Sequence, residues 1–143
     1  MSDAVFDATV VSFANSTIAG RKPGTSAERR FNLLQGAVRG RMRIRYNSRL
    51  LTEYTDHVRE RRNDAIRVFF DLLDSASAVR VSTNNLSRQN FARATEVRWP
   101  RHDQHLLAAA LGGERSSVYV TEVRLSNCGA GIRRVFSVSV HLV

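Results

Sequence analysis

The sequence predicts an α/β fold with a mostly parallel central sheet of four to five strands flanked by helices. Segments rich in β-branched and aromatic residues alternate with segments whose apolar residues recur at helical spacing. No short hairpin turn joins two of the strand-like segments, and strands separated by helices favour a parallel sheet. The chain has 143 residues, of which 43% are hydrophobic, so we expect a single domain over residues 1–143.

The first part of the chain contains two predicted strands separated by a helix. The run AVFDATVVSFA, from Ala4 to Ala14, has the composition of a strand buried on both faces, although Asp7 interrupts it. Gly, Pro, Ser and Thr then predict a loop, and residues 26–38 show helical spacing with Ser26 as a candidate N-cap. The second strand is predicted over Arg41–Tyr46, where apolar residues alternate with Arg.

The remaining predicted elements alternate in the same way. Residues 84–100 are predicted to be helical or irregular. Gly112 and Gly113 should end the helix that begins at Asp103. In the last strand Phe136 and the apolar residues after it alternate with Ser and His. The predicted helices are 49–60, 62–76 and 103–111, and the predicted strands are 78–83, 117–123 and 133–143.

Strong positive charge is the main global feature of the composition. The chain has 22 Lys and Arg against 13 Asp and Glu, which gives a formal net charge of +9 and a pI of about 11.3. Such a field attracts polyanions, so nucleic acid is the natural partner. Every one of these basic residues except Lys22 is Arg, a skew that a GC-rich genome also produces, and solubility is the alternative reason for the charge.

Other features of the composition exclude several classes of protein. Cys128 is the only cysteine, so no intrachain disulfide forms, and no second cysteine or spaced His pair indicates a zinc site. The first ten residues carry acidic groups where a signal peptide needs positive charge, and no apolar run approaches the length of a membrane span. We expect a soluble cytoplasmic protein without membrane association.

Three carboxylates occur where a parallel sheet places its ligand site. Asp7 interrupts the first strand, Glu53 borders the apolar stripe of the helix after the second strand, and Asp103 opens the helix before the fourth. Open α/β sheets bind ligands outside the carboxyl ends of their strands. Each acid also has an ordinary interpretation, which is an Arg ion pair for Asp7, a solvated position for Glu53 and a helix N-cap for Asp103.

Convergence of the three acids would create a site for Mg²⁺ or Mn²⁺. These hard ions take oxygen ligands and keep several waters in their coordination shell. A bound ion lowers the pKa of water and neutralises charge on a phosphate, while surrounding Arg side chains hold the nucleic-acid backbone. The acids therefore predict hydrolysis of a phosphodiester bond.

The same segments resemble the PIN-domain nucleases, and among them the small VapC-type toxins of toxin and antitoxin pairs. The resemblance covers nearly the whole chain, through VFDATVVSFA, RLLTEYTDHV, DQHLLAAAL and the late strand SVYVTEVRL with its Thr motif. It implies a PIN-like fold in which Asp7, Glu53 and Asp103 are metal ligands and Thr121 lies beside the site. It further implies RNA rather than DNA as the substrate, a cognate antitoxin that occludes the acidic cleft, and a homodimer.

One position departs from the family pattern. The family usually has an acidic residue two positions after the Thr, and this chain has Val123 there, with Glu122 one position early. Successive strand residues point to opposite faces, so Glu122 can substitute as a ligand only if the chain bends there. The alternative function is therefore a degenerate PIN-like module that binds nucleic acid or a protein partner without cutting.

Three further interpretations are disfavoured. A phosphoacceptor receiver domain needs a Lys near a late strand, but the only Lys is Lys22. The motif CGAG, from Cys128 to Gly131, lacks the third Gly of the dinucleotide-binding fingerprint. His102 and His105 are three residues apart, and we expect them to be solvated residues of a basic surface rather than metal ligands.

Overall fold

Five parallel strands form one sheet in the computed structural model of the chain, which describes residues 1–16 and 26–143. The sheet order is β3-β2-β1-β4-β5, so β1 is the central strand and β5 lies at one edge. This arrangement confirms the predicted α/β class and the mostly parallel sheet. The strands are β1 Asp3–Phe6, β2 Arg43–Tyr46, β3 Val79–Arg80, β4 Ser117–Val120 and β5 Ser139–Leu142.

Helices connect the strands and cover both faces of the sheet. On one face α1, α2 and α4 pack together, and the Phe69 ring of α4 contacts the Phe6 ring of β1. On the other face α6 packs against β1, β2 and β4, while α7 and α8 pack against β5. The helices are α1 Ala8–Asn15, α2 Ser26–Val38, α3 Ser48–His57, α4 Asp64–Leu73, α5 Arg88–Glu96, α6 Gln104–Ala110, α7 Val123–Asn127 and α8 Gly129–Phe136.

The two helices between β2 and β3 begin at side-chain caps. The Asn47 side chain accepts a hydrogen bond from the Leu50 backbone N–H, and Asn63 accepts one from Ile66. Asn is among the preferred N-cap residues because its short side chain satisfies a free N–H of the first turn. None of the helices in the described ranges has both the length and the apolar composition needed to cross a bilayer.

The predicted strand from Ala4 to Ala14 is wrong beyond Phe6. Residues 8–15 form α1, and Asp7 lies between the strand and this helix. Val10, Val11 and Ala14 are fully buried, and so few polar residues remain in α1 that its sequence shows no clear helical stripe. The correction moves Asp7 from the interior of a strand to its carboxyl end.

The last predicted strand is also shorter than expected. Residues 129–136 form α8, so Phe136 lies in a helix and not in the strand. Ser137 then adopts a left-handed backbone conformation with φ of 57°, which ends the helix before β5 begins at Ser139. The error arose because residues 136–138 continue the alternation of apolar and polar residues found in β5, although they lie outside the strand.

Smaller differences concern element boundaries. Of the predicted strand 78–83 only Val79–Arg80 pairs, and residues 88–96 of the segment left as helical or irregular form α5. Most of the predicted loop after α1 lies outside the described residues. The Ser26 side chain, proposed as a cap, is likewise outside the described part of the structure.

A buried ion-pair network holds the amino ends of β1 and β2 together. The Asp3 carboxylate is 1% exposed and accepts two hydrogen bonds from Arg43, of 2.8 and 3.1 Å, and one of 2.7 Å from the Glu114 backbone N–H. Arg45, also buried, lies 3.7 Å from Asp3 and donates to the carbonyl oxygens of Ala109 and Leu111 at the end of α6. The network therefore fixes α6 on the sheet.

Candidate active site

The candidate site lies at the opposite, carboxyl ends of the two central strands. Asp7 follows β1, and Thr121 and Glu122 follow the neighbouring strand β4. The Asp7 backbone N–H donates to the Tyr119 carbonyl over 3.0 Å, and the hydroxyls of Thr9 and Thr121 are 2.7 Å apart. The start of α1 and the segment after β4 are thus joined, and Thr121 lies close to Asp7.

Asp7 is a partly buried carboxylate whose described neighbours do not neutralise it. Its Oδ2 accepts a 3.3 Å hydrogen bond from the Thr9 hydroxyl, and among residues 1–16 and 26–143 no Arg, Lys or His forms an ion pair with it. Burial raises the pKa of Asp7, and the charges of Asp103 and Glu53 raise it further. The Ala8 N–H and the Thr9 hydroxyl lower this pKa only in part. The three predicted acids are therefore close enough to influence one another.

Helix α3 brings Glu53 to the site through its neighbour Tyr54. The Tyr54 side chain is fully buried, and its hydroxyl donates to the carbonyl oxygen of Phe6, the residue before Asp7. Burial, followed by the charges of Asp7 and Glu53, raises the pKa of Tyr54 far above its usual value, so its hydroxyl remains a donor at neutral pH. This bond fixes the distance between α3 and the end of β1.

Glu53 itself is held by two basic side chains. Its carboxylate lies 3.2 Å from Arg49 Nε and 3.2 Å from His105 Nε2, and 28% of the side chain is exposed. Burial raises the pKa of Glu53, but the hydrogen bonds and charges of His105 and Arg49 outweigh it, so the pKa is lowered. Glu53 is consequently an ionised carboxylate of fixed position.

His105 is a buried member of the site, contrary to the prediction that it is solvated. It is 2% exposed, and its Nδ1 has no hydrogen-bond partner among the described residues. The Asn47 amide donates 3.0 Å to the His105 carbonyl and thereby ties the start of α3 to α6. The sequence signal for burial was its place in an uninterrupted apolar helix, whose residues 105–110 are all buried.

Asp103 lies in a 3₁₀ turn, Arg101–Asp103, immediately before α6. The turn is anchored by the Trp99 indole, which donates over 2.9 Å to the Asp103 carbonyl. Asp103 occupies the N-cap position of α6, as one of the two interpretations expected, but its side chain makes no capping bond to the helix. Only 14% of the side chain is exposed, and Oδ2 is buried without a hydrogen-bond partner in the described part of the chain.

Opposing charges surround the Asp103 carboxylate. Burial raises its pKa, the His102 charge lowers it and the Glu122 charge raises it, with smaller lowering contributions from His105 and Arg124, and the net pKa is raised. His102 Nε2 is 3.3 Å from Asp103 Oδ2 without hydrogen-bond geometry, and its side chain is 67% exposed, as predicted for His102. Asp103 Oδ2 is therefore a buried oxygen that lies 3.3 Å from His102 and 4.0 Å from Arg124 without a hydrogen bond among the described residues.

The chain bends after Thr121, which was the condition for Glu122 to replace the family's fourth acid. Strand β4 ends at Val120, and α7 begins at Val123, which is 60% exposed. The Glu122 side chain is 52% exposed and lies 3.8 Å from Arg124, and its charge acts on Asp103. Glu122 is therefore on the site's side of the bend, while Val123 is not a ligand.

The donor set suits Mg²⁺ or Mn²⁺ in chemistry but does not form a closed ligand cage. Among the described residues, no group of three or more His, Cys, Asp or Glu side chains is arranged to hold a metal ion. Mg²⁺ is usually held by one or two carboxylates, several waters and substrate phosphates rather than by an all-protein cage. Two carboxylates are available for that mode: Asp7, which has no ion pair in the described ranges, and Asp103, whose buried Oδ2 has no hydrogen bond there but lies within 4.0 Å of His102 and Arg124.

A basic rim borders the acids. Arg49 donates over 3.1 Å to the His102 carbonyl, and an Arg124 nitrogen lies 3.3 Å from His102 Nε2. The two Arg side chains remain 43% and 61% exposed. They bring positive charge to the entrance of a site whose interior is acidic, an arrangement that suits a phosphate bound through a cation.

No protein-family model, no curated protein and no solved structure matches this chain.

Proposed function

We propose that this protein is a divalent-metal-dependent ribonuclease of PIN type, acting in the cytoplasm. The single observation that carries the proposal is the uncompensated Asp7 at the carboxyl end of the central strand, beside Asp103 and Glu53. Burying a carboxylate without a counter-charge is costly, so such a group is normally compensated by hydrogen bonds, a cation or a metal. The net charge of +9 supports a polyanionic substrate.

In this proposal Asp7 and Asp103 hold Mg²⁺ or Mn²⁺. The bound ion would generate a hydroxide-like water and neutralise charge on the scissile phosphate. Glu53, kept ionised by Arg49 and His105, adds negative charge that favours the cation. Glu122 is available from the loop after β4, and the paired hydroxyls of Thr9 and Thr121 keep that loop beside Asp7.

The rim side chains would hold the RNA backbone. Arg49 donates to the His102 carbonyl and Arg124 lies beside the His102 ring nitrogen Nε2. Both side chains remain largely exposed, and guanidinium groups suit phosphate oxygens. The preference for RNA over DNA rests on the family resemblance. The same resemblance leads us to propose a homodimer and a cognate antitoxin that covers the acidic cleft.

Cleavage of a labelled, structured RNA by the purified protein tests the proposal. We expect hydrolysis with Mn²⁺ or Mg²⁺, none with chelator, and near-complete loss in Asp7→Asn and Asp103→Asn. Asp71→Asn is the matched control because Asp71 is an exposed carboxylate on α4, away from the site. Unchanged cleavage in both site variants would refute the assignment, and circular dichroism would verify that they fold.

A second candidate is a PIN-like module that binds nucleic acid or a protein without cutting. It is favoured by Val123 in place of the expected acid and by the open donor set. This module would bind RNA in a salt-sensitive manner that chelator does not change. Metal-stimulated hydrolysis by the wild type, absent from Asp7→Asn, excludes it.

A further inference from the structure

Three stacked aromatic rings cross the sheet from the core to its edge. The Phe6 ring of β1 stacks on Tyr119 of β4 at 5.4 Å between centroids, and Tyr119 stacks on His141 of β5 at 5.1 Å. The interplanar angles are 19° and 22°, so the rings are nearly parallel. The strand register produces this alignment because it pairs Phe6 with Tyr119 and Tyr119 with His141. We call these three residues the ring ladder.

The last ring of the ladder is exposed at the sheet edge. Phe6 is fully buried, Tyr119 is half-buried and His141 is exposed. In the described part of the chain β5 pairs with β4 alone, so no described strand follows His141. His141 Nε2 lies 3.2 Å from the Ser117 hydroxyl, which orients the imidazole. An exposed and oriented imidazole therefore lies at this edge of the described sheet.

Positive charge lies at the same end of β5. The Arg30 guanidinium is 4.3 Å from the centre of the Phe13 ring, and its Nε donates over 3.1 Å to the Val143 carbonyl, two residues after His141. A planar ring beside an anchored Arg is the combination that single-stranded nucleic acids use, since bases stack and phosphates pair with cations. The alternative is that the His141 ring only stabilises the sheet by packing across the strands. Packing alone would not account for the Arg side chain at the same end of β5.

The ladder begins at the candidate active site. The Tyr119 carbonyl accepts the hydrogen bond from the Asp7 backbone N–H, and Thr121 follows two residues later. A polynucleotide whose phosphate lies at Asp7 can extend along the carboxyl ends of β4 and β5 toward His141. Base-paired RNA presents no free base face to such a ring, whereas single-stranded RNA does.

We infer that the exposed face of His141, backed by Tyr119, stacks on a base of single-stranded RNA while Arg30 contacts an adjacent phosphate. This inference rests on the proposed function and deepens it, because it assigns a base-stacking position at the β5 edge of the sheet. His141 is a positioning residue in this account and takes no part in the hydrolysis.

Binding of a fluorescent ten-nucleotide oligoadenylate in excess chelator tests the ladder without cleavage. His141→Ala should weaken binding about tenfold, the effect of losing one stacked base. His141→Phe should retain most of the affinity because it keeps the ring and removes the imidazole nitrogens. His57→Ala is the matched control, since His57 is an exposed imidazole at the end of α3. An abasic oligonucleotide of equal length should bind wild type and His141→Ala equally.

Several results would overturn the inference. The first two are an unchanged affinity for oligoadenylate in His141→Ala and a loss of affinity in His141→Phe as large as that in His141→Ala. The other two are an abasic oligonucleotide whose affinity falls in His141→Ala as much as that of oligoadenylate, and no binding of oligoadenylate by the wild type. Dissociation of a dimer by His141→Ala, measured by light scattering, would instead identify this edge as an interface between copies. Thermal unfolding verifies that each variant folds.

The ladder and the nuclease proposal fail separately. Metal-dependent cleavage that requires Asp7 but not His141 would reject the ladder and leave the nuclease standing. Binding that requires the His141 ring, without cleavage under any metal, would reject the nuclease and support a module that binds unpaired RNA.

Discussion

The two aspartates that flank the central strand occupy opposite environments. Asp3 begins β1 and is fully enclosed by Arg43, Arg45 and the Glu114 N–H. Asp7 follows β1 and interacts with the Ala8 N–H and the Thr9 hydroxyl, but it has no ion pair among the described residues. Burial acts to raise both pKa values, but the Arg43 hydrogen bond leads the interactions that lower the pKa of Asp3, whereas the pKa of Asp7 is raised.

The difference separates a structural acid from a candidate functional one within four residues of chain. The chain has 21 Arg and Lys residues besides Arg43, so cations that could pair with Asp7 are plentiful. Asp3, at the other end of the same strand, has such a pair. A carboxylate whose pKa is raised by burial, without a cation beside it, is a candidate for a ligand-binding site. The comparison therefore predicts opposite results for the same substitution at the two ends.

The largest effect we expect is on catalysis. Asp7→Asn should lower metal-dependent RNA cleavage about 1,000-fold, because it removes a charge that holds the cation at the transition state. Asp3→Asn should keep the wild-type rate per folded molecule, measured by single-turnover cleavage at a temperature where it is folded. Comparable rate losses in both variants would erase the contrast between the two ends.

The next effect is on stability at the amino end. Asp3→Asn should reduce the free energy of unfolding by about 3 kcal/mol, because it leaves the buried Arg45 without its counter-charge. Urea denaturation at pH 7 measures this loss, with Asp71→Asn as the exposed control. A loss no larger than that of the control would mean that the network is not structural.

A smaller effect of opposite sign is expected at the carboxyl end. Without metal, Asp7→Asn should stabilise the protein at pH 7 by about 1 kcal/mol, the size of an ordinary stabilising substitution. Because the folded pKa of Asp7 is raised, this advantage should disappear as pH falls through that pKa toward the unfolded value of about 3.9.

The pH dependence of Asp3 should run the other way. Its folded pKa is lowered, so its stabilisation is complete above the unfolded value of about 3.9 and is lost only as pH falls through the folded pKa. Urea denaturation of both variants at several pH values from about 3 to 7, with chelator present, measures how the free energy of unfolding changes with pH in each. Parallel pH profiles for Asp3→Asn and Asp7→Asn would contradict the assigned pKa directions.

Sequence patterns predicted which acids lie near one another better than they predicted the elements around them. The order of strands and helices placed Asp7, Glu53 and Asp103 at one edge of the sheet, because the carboxyl ends of parallel strands share that edge. The pattern failed at α1, where burial of Val10 and Val11 removed the polar face that marks a helix. Local propensity does not reveal which helices are enclosed on several sides.

Contacts between distant segments were also beyond reach. The bond between His105 and Glu53 joins residues 52 positions apart, and the pairing of Asp3 with Arg43 joins residues 40 apart. The packing of α6 against α3 determines the first contact and the register of β1 with β2 determines the second, and single residues encode neither. The chain bend after Thr121 was identified as a condition, and only the structure could show that β4 stops at Val120.

The smallest expected effect concerns the basic rim. Arg124→Gln should weaken RNA binding a few-fold and reduce the slope of log affinity against log salt by about one, since it removes one phosphate contact. Arg39→Gln is the control, because Arg39 is an exposed Arg after α2. Equal slopes for wild type and Arg124→Gln would remove Arg124 from the RNA-binding surface.

Calorimetric titration of Mn²⁺ into wild type, Asp7→Asn and Asp3→Asn tests the central claim most directly. The account predicts that wild type and Asp3→Asn bind the ion alike, whereas Asp7→Asn binds it at least about tenfold more weakly. Equal Mn²⁺ affinity in wild type and Asp7→Asn would contradict the claim that the carboxyl end of β1 is kept uncompensated for a metal.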